Sequence, residues 1–183
     1  MPTKLTDEAN KDISLKTNWY KKMGKEVVYP GSFDPVTLGH LDLIKRARTI
    51  FERVVVAVAD NSEKKPTFSR EERLQLLRET TRDIPGVEID YFSGLMVDYL
   101  KKKGIKTILR GLRAVSDFDF EFQMVLTNRR LAPEIETVFL MPQEDYFFLS
   151  SGLIKEIARL GADLSAFVPG VVEKALKEKL KKE

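Results

Sequence analysis

The sequence predicts an α/β protein built on a doubly wound, five-stranded parallel sheet, with helices on both faces and a helix at the C-terminus. Short β-branched runs alternate along the chain with longer segments of helical spacing, each bounded by Gly, Pro, Asp or Ser. Strand and helix candidates follow one another in turn, and parallel neighbours require a crossover, for which a helix is the usual solution. A length of 183 residues, with 43% hydrophobic and 32% charged, suits one domain of ordinary size.

The first strand candidate is Glu26–Tyr29, where an apolar run begins abruptly after Met23-Gly24-Lys25. A helix follows near 39–52, in which Ile44, Ala47, Ile50 and Phe51 share one face. The second strand, Arg53–Ala59, holds the longest apolar run, Val54 to Ala59. Ser69 and Glu72 have the spacing of a capping box and open a helix near 70–82. Strands Val87–Tyr91, Thr107–Leu109 and Thr137–Leu140 alternate with helices near 95–103, 116–131, 151–161 and 170–182, the last ending in an exposed Lys/Glu-rich stretch. Residues 1–23 are polar, and Leu5, Ile13, Leu15, Trp19 and Tyr20 are too sparse to build a core. They are expected to be an appendage to a single domain spanning 24–183, with Met23 a natural first residue.

Composition excludes whole classes of chemistry. With no Cys there is no disulfide scaffold, zinc–thiolate site, iron–sulfur cluster or thiol nucleophile, and one His cannot form a multi-histidine metal site. Any metal is expected to be hard and oxygen-bound, such as Mg²⁺ on a phosphate. The longest apolar run is far short of the ~20 residues that span a bilayer, so a cytoplasmic protein without membrane partners is expected. The net charge of +3 sits at the ends: residues 1–25 hold six Lys against Asp7, Glu8 and Asp12, and residues 173–183 hold five Lys against three Glu. The body is therefore slightly acidic, and nucleic acid is not an expected partner.

In a doubly wound sheet, ligands bind beyond the carboxyl ends of the strands, so the loop after the first strand is the place to look. It reads Tyr29-Pro30-Gly31-Ser32-Phe33-Asp34-Pro35-Val36-Thr37-Leu38-Gly39-His40 and lacks both the dinucleotide and the P-loop glycine patterns. Gly31 lets a ligand approach the backbone, Ser32 offers a hydroxyl, and Thr37 to His40 stand at a helix start whose free N–H groups favour phosphate. His40, beside Gly39, is either a hydrogen-bond donor to a transferring phosphoryl group or a packing residue of the helix start. An unperturbed imidazole titrates near pH ~6.5, so the rate is expected to depend on pH there.

That twelve-residue block resembles the first signature of the phosphopantetheine adenylyltransferases, members of the H-x-G-H nucleotidyltransferase superfamily, with Thr37 at the first His position. Lys64-Lys65-Pro66, the block from Arg110 to Glu121 and the block from Phe148 to Glu156 follow in the family's order, so the likeness runs from about Lys25 to Leu180. The resemblance implies a Rossmann-like fold, transfer of AMP from ATP to 4′-phosphopantetheine to give dephospho-coenzyme A and pyrophosphate, Mg²⁺ carried by the ATP phosphates, a homohexamer, and coenzyme A as a feedback ligand. Attack by an already anionic phosphate needs neither a covalent intermediate nor a strong base. By resemblance His40 stabilises the transition state at the α-phosphate, and Ser32 and Phe33 line the point where the substrates meet. Lys64 and Arg110 contact the acceptor phosphate, and Met96 the pantetheine arm. ATP is held by Gly111, Leu112, Arg113 and Glu121 and by the run Tyr146, Phe147, Phe148, Leu149, Ser150, Ser151 and Gly152. The alternative for Arg110 is half of a structural ion pair, and the plain reading of Ser150 and Ser151 is a helix cap, which is also a phosphate site. Gly152 stands where the family usually has Ser or Thr, and Phe120 where Tyr is common. Other readings are an acceptor such as nicotinamide mononucleotide, glycerol 3-phosphate with CTP, a non-catalytic nucleotide sensor, and an RNA-binding protein using the Lys-rich ends.

Overall fold

The computed structural model describes residues 25–60, 66–113 and 115–181. The tail 1–23 and Lys64 lie outside the described residues. Strands β1 (Glu26–Gly31), β2 (Arg53–Ala59), β3 (Val87–Phe92), β4 (Thr107–Gly111) and β5 (Glu136–Leu140) form one sheet in the order β3-β2-β1-β4-β5, and every pairing is parallel. The helices are α1 (Leu38–Ile50), α2 (Arg70–Thr81), α3 (Met96–Lys103), α4 (Val115–Leu131), α5 (Ser151–Arg159) and α6 (Gly170–Leu180). The expected fold class and all eleven expected elements are present, with strand β1 two residues longer than its pattern predicted and β4 likewise.

Alternation along the strands sends side chains to two cores. Val27, Tyr29, Val54, Val56, Val58 and Leu109 pack against α1, α2, α5 and α6. Val28, Val55, Ala57 and Ile108 turn to the other face and meet Val97 and Leu100 of α3 with Ala132 and Ile135. Both faces of β1 and β2 are buried, so their sequences read as continuous apolar runs rather than as half-polar alternation. Ser69 caps α2 as its spacing predicts: its Oγ accepts the Glu72 amide at 3.2 Å, and the Glu72 carboxylate accepts the Ser69 amide at 2.6 Å. Among the described residues, no helix is long and apolar enough to cross a membrane.

The chain order reverses between β1 and β4, and those two strands part early. Only Val28 and Ile108 pair across them, whereas β1 stays in register with β2 from Glu26 to Gly31. Pro30 explains part of this, because it has no N–H to offer β4. Its carbonyl faces β4 all the same and accepts a hydrogen bond from the Arg110 guanidinium at 3.0 Å. The gap so opened is where the site lies.

Candidate active site

A cavity of about 640 Å³ fills the crevice at the carboxyl ends of β1 and β4, walled by the β1–α1 loop, the first turn of α1, the end of β4, the start of α4 and the first turn of α5. Two helix N-termini face it. Thr37 caps α1 and Ser150 caps α5, each through its side-chain oxygen. Among the described residues the amides of Gly39, Ser151 and Gly152 make no hydrogen bond, so the cavity meets free N–H groups at the positive ends of two helix dipoles.

His40 occupies the third position of α1 and completes an unusual capping box with an imidazole where Glu or Gln is customary. Its N–H donates to Thr37 Oγ1 at 3.3 Å, and its Nδ1 accepts the Thr37 amide at 3.0 Å, with Thr37 Oγ1 also 3.0 Å away. A backbone amide can only donate, so Nδ1 carries a lone pair and the ring proton sits on Nε2. Burial, with the Arg113 charge nearby adding to it, pushes the imidazole down to about 4. His40 is therefore neutral at pH 7 and offers Nε2–H as a donor. This corrects the expected rate dependence near pH 6.5, which assumed an unperturbed ring.

Arg110 lies at the end of β4 and grips Glu121 of α4 through two parallel hydrogen bonds, one from Nε at 2.7 Å and one from the second terminal nitrogen. Its remaining nitrogen holds the Pro30 carbonyl. Each terminal nitrogen keeps one further N–H, so the ion pair leaves Arg110 able to receive a phosphate. Glu121, on the cavity wall, orients Arg110 through both of its oxygens, and each oxygen keeps a lone pair for a further contact. Arg113 is anchored similarly, through Asp117 at 3.1 and 3.3 Å and the Leu149 carbonyl at 2.8 Å.

The glycines of the site are also required by the packing around them. A Cβ on Gly31 would lie 2.9 Å from the Phe33 ring, one on Gly111 would lie 2.5 Å from Leu43 Cδ1, and one on Gly39 would lie 3.3 Å from Tyr146 Cβ. All three glycines line the cavity as well, so their backbones remain open to a ligand. Phe33 needs the space beside Gly31 because it is buried with a φ of +47°, a backbone conformation that costs a bulky residue about 1–3 kcal/mol and persists only under dense packing. Its ring meets Tyr29 edge-on at 5.4 Å and His40 at 5.0 Å. Gly31→Ala is expected to cost about 1–3 kcal/mol of stability through overpacking and to displace the ring that backs His40. Thermal unfolding checks this, and an unchanged midpoint would show that Phe33 yields freely.

A second cavity of about 460 Å³ lies between α3 and α4, is lined mainly by apolar side chains including Met96, and shares Ser32, Arg110 and Glu121 with the first. Two ligand spaces therefore meet at Ser32 and Arg110.

The comparisons with known proteins match this geometry. Residues 28–157 fit the cytidylyltransferase-like family. The chain is 56% identical over 155 residues to the phosphopantetheine adenylyltransferase of Caldanaerobacter subterraneus, covering 85% of this chain and 97% of that one. It is 57% identical over 156 residues to the enzyme of that name from Dictyoglomus turgidum, covering 85% and 98%. The chain belongs to the phosphopantetheine adenylyltransferase family. It is thus a nucleotidyltransferase, and the reaction of its family makes dephospho-coenzyme A from ATP and phosphopantetheine in coenzyme A biosynthesis. Solved structures of lower identity share the fold. A bifunctional NMN adenylyltransferase/ADP ribose pyrophosphatase from Francisella tularensis superposes with a TM-score of 0.66 at 17% identity, covering 87% of this chain and 50% of that one. The Plasmodium falciparum nicotinic acid mononucleotide adenylyltransferase does so with 0.61 at 13%, covering 86% and 94%.

For this family member the structure gathers Ser32, Phe33, His40, Arg110, Gly111, Arg113, Glu121, Leu149, Ser150, Ser151 and Gly152 around the first cavity, and Met96 on the second. Leu112, Tyr146, Phe147 and Phe148 do not line the first cavity. The Leu112 amide closes onto the Leu140 carbonyl at 3.0 Å, Tyr146 packs behind Gly39, and the exposed Phe148 ring meets Phe167 at 6.1 Å. A Cβ on Gly152 would meet only Ser150 Oγ, at an ordinary contact distance of 3.9 Å, so the family's usual hydroxyl residue fits there too. Tyr29, Leu43 and Asp117 line the cavity without having been predicted. Only Asp117 carried a signal, its i+4 spacing from Arg113. Arg73, which is buried and donates to the Ser32 carbonyl at 2.9 Å, carried none.

Proposed function

We propose that this chain transfers the AMP moiety of ATP to the phosphate of 4′-phosphopantetheine, releasing pyrophosphate and dephospho-coenzyme A, with His40 as the donor that stabilises the reacting α-phosphate. The observation that carries this reading is the neutral His40, locked by Thr37 into the tautomer that leaves Nε2–H free, on the wall of a cavity met by two helix N-termini. An acceptor phosphate oxygen attacks the α-phosphorus in line, the bond from that phosphorus to the β-phosphate oxygen breaks, and pyrophosphate departs with the electron pair. Negative charge grows on the non-bridging α-phosphate oxygens, and Nε2–H answers it without giving up its proton. The α5 amides and Arg113 hold the β- and γ-phosphates. Arg110 and Ser32, at the junction of the two cavities, orient the acceptor phosphate together with Lys64, while the apolar second cavity with Met96 takes the pantetheine arm.

Asp117 and Glu121, the carboxylates of the first cavity, are committed to Arg113 and Arg110, so the wall suits Mg²⁺ held by triphosphate oxygens and water rather than by protein ligands. When bound, that ion neutralises charge on the phosphates. The same proposal includes a homohexamer, supported by the exposed Phe118, Phe122 and Leu126, which share one face of α4 and favour association. It also includes a cytoplasmic location and coenzyme A as a feedback ligand, since that molecule carries the nucleotide and the pantetheine arm that fit the two cavities. The test is pyrophosphate release from ATP and Mg²⁺ with a panel of acceptors. Turnover with 4′-phosphopantetheine and little with nicotinamide mononucleotide is expected. Comparable rates with the two, or none with phosphopantetheine, would overturn the assignment.

A further inference from the structure

The sequence singled out Asp34 and Lys155 only as members of motif blocks, and the mechanism above uses neither. Asp34 is 5% exposed, yet its carboxylate is fully engaged. Oδ1 accepts the Phe68 amide at 2.9 Å, and Oδ2 accepts the Thr67 amide at 3.0 Å and Lys155 Nζ at 2.7 Å. Asp34 follows Phe33 directly on the β1–α1 loop, while Lys155 stands on α5 four residues beyond Ser151, hence on the same helix face. Ser151 reaches that loop as well, its Oγ donating to the Pro35 carbonyl at 2.8 Å. Two contacts, one turn apart on α5, therefore seat this helix on the loop that carries Phe33 and leads to His40.

We infer that Asp34 and Lys155 are a positioning pair that fixes the N-terminus of α5 relative to His40, and so sets the distance between the donors on the ATP phosphates and the donor on the α-phosphorus. The inference rests on the adenylyl-transfer reading above. Displacement of a reacting group by about 1 Å can cost two orders of magnitude in rate. Ile154 holds α5 against the core, and with the ion pair gone one hydroxyl is left to set the place of the helix on the loop. Neither side chain belongs to the cavity wall, so their effect on the reaction passes through the elements they join.

The test measures pyrophosphate release, ATP affinity by calorimetry and thermal midpoint for wild type, Lys155→Met, Lys155→Arg, Asp34→Asn and the double variant Asp34→Asn/Lys155→Met. Lys155→Met is expected to lower kcat by roughly ten- to a hundredfold, with ATP affinity within about threefold of wild type. Asp34→Asn should match it, the double variant should be no worse than either single one, and Lys155→Arg should recover most of the rate because a guanidinium can still reach the carboxylate. A fallen midpoint with unaltered kcat per folded molecule would overturn the inference in favour of a purely structural pair. Weakened ATP binding in Lys155→Met with an intact rate in Asp34→Asn would overturn it in favour of a direct lysine–phosphate contact. The wild-type rate with 4′-phosphopantetheine judges the activity, and the ratio of variant to wild type, read on whichever acceptor turns over, judges the pair.

Discussion

Replacing His40 by Ala is expected to lower kcat by roughly 10² to 10³ while leaving KM for both substrates within about threefold, the pattern of a donor that acts mainly in the transition state. The helix start survives in part, because Thr37 Oγ1 still accepts the amide of residue 40, and the loss of the reciprocal bond should cost only about 1 kcal/mol. A packing histidine would give the reverse, a lowered midpoint with nearly intact turnover, and that outcome would remove His40 from the catalytic role. The pH behaviour adds an independent check. With the folded imidazole pushed down to about 4, His40 contributes no titration to kcat between pH 6 and 8. In the unfolded chain the ring takes up a proton near its ordinary value of ~6.5, whereas the folded protein refuses it until near 4. The stability associated with the neutral ring is therefore complete above the unfolded value and is lost as pH falls from there towards 4. The gap in stability between wild type and His40→Ala should narrow over that range, and a constant gap would mean that the ring is more hydrated than its surroundings imply.

Glu121→Ala is expected to be the most destabilising single change at the site, at about 2–3 kcal/mol by urea unfolding, and to reduce kcat/KM for 4′-phosphopantetheine at least tenfold. Removing one member of a buried pair strands the other charge, and the loss is kept below the usual 3–5 kcal/mol because the Arg110 side chain remains 29% exposed. Stability and activity separate in the double variant Arg110→Met/Glu121→Leu. Apolar replacements of similar volume should recover most of the stability, but no guanidinium remains to orient the acceptor phosphate, so activity should stay low. Unchanged stability in Glu121→Ala would show that water, not Glu121, carries the Arg110 charge.

Much of this molecule was legible before its shape was known. Val54 to Val58, rich in valine and followed by Asp60-Asn61-Ser62, read as a strand, and Ser69 with Glu72 marked the start of α2, because β-branched runs and helix caps are local signals written in adjacent residues. The loop after the first strand, ending in Thr37 to His40, marked the place to look for the same reason: a helix N-terminus is built from neighbours in sequence. Tertiary structure decided what those residues do. That a side chain at Gly31 or Gly111 would collide depends on where Phe33 and Leu43 pack. That Glu121 meets Arg110 depends on α4 crossing the end of β4. Asp34 meets Lys155 across 121 positions of chain, and Arg73 meets Ser32 across 41, distances over which no periodicity or cap can signal. The charge state of His40 depends on its burial and on Arg113, which the fold brings from another strand end. Sequence alone determined the elements, their order and the helix start that lines the cavity, because those follow from hydrogen bonding and hydrophobic spacing within a few residues. The partner of each charged group and the protonation of the one imidazole were left to packing, because an electrostatic environment belongs to neighbours in space.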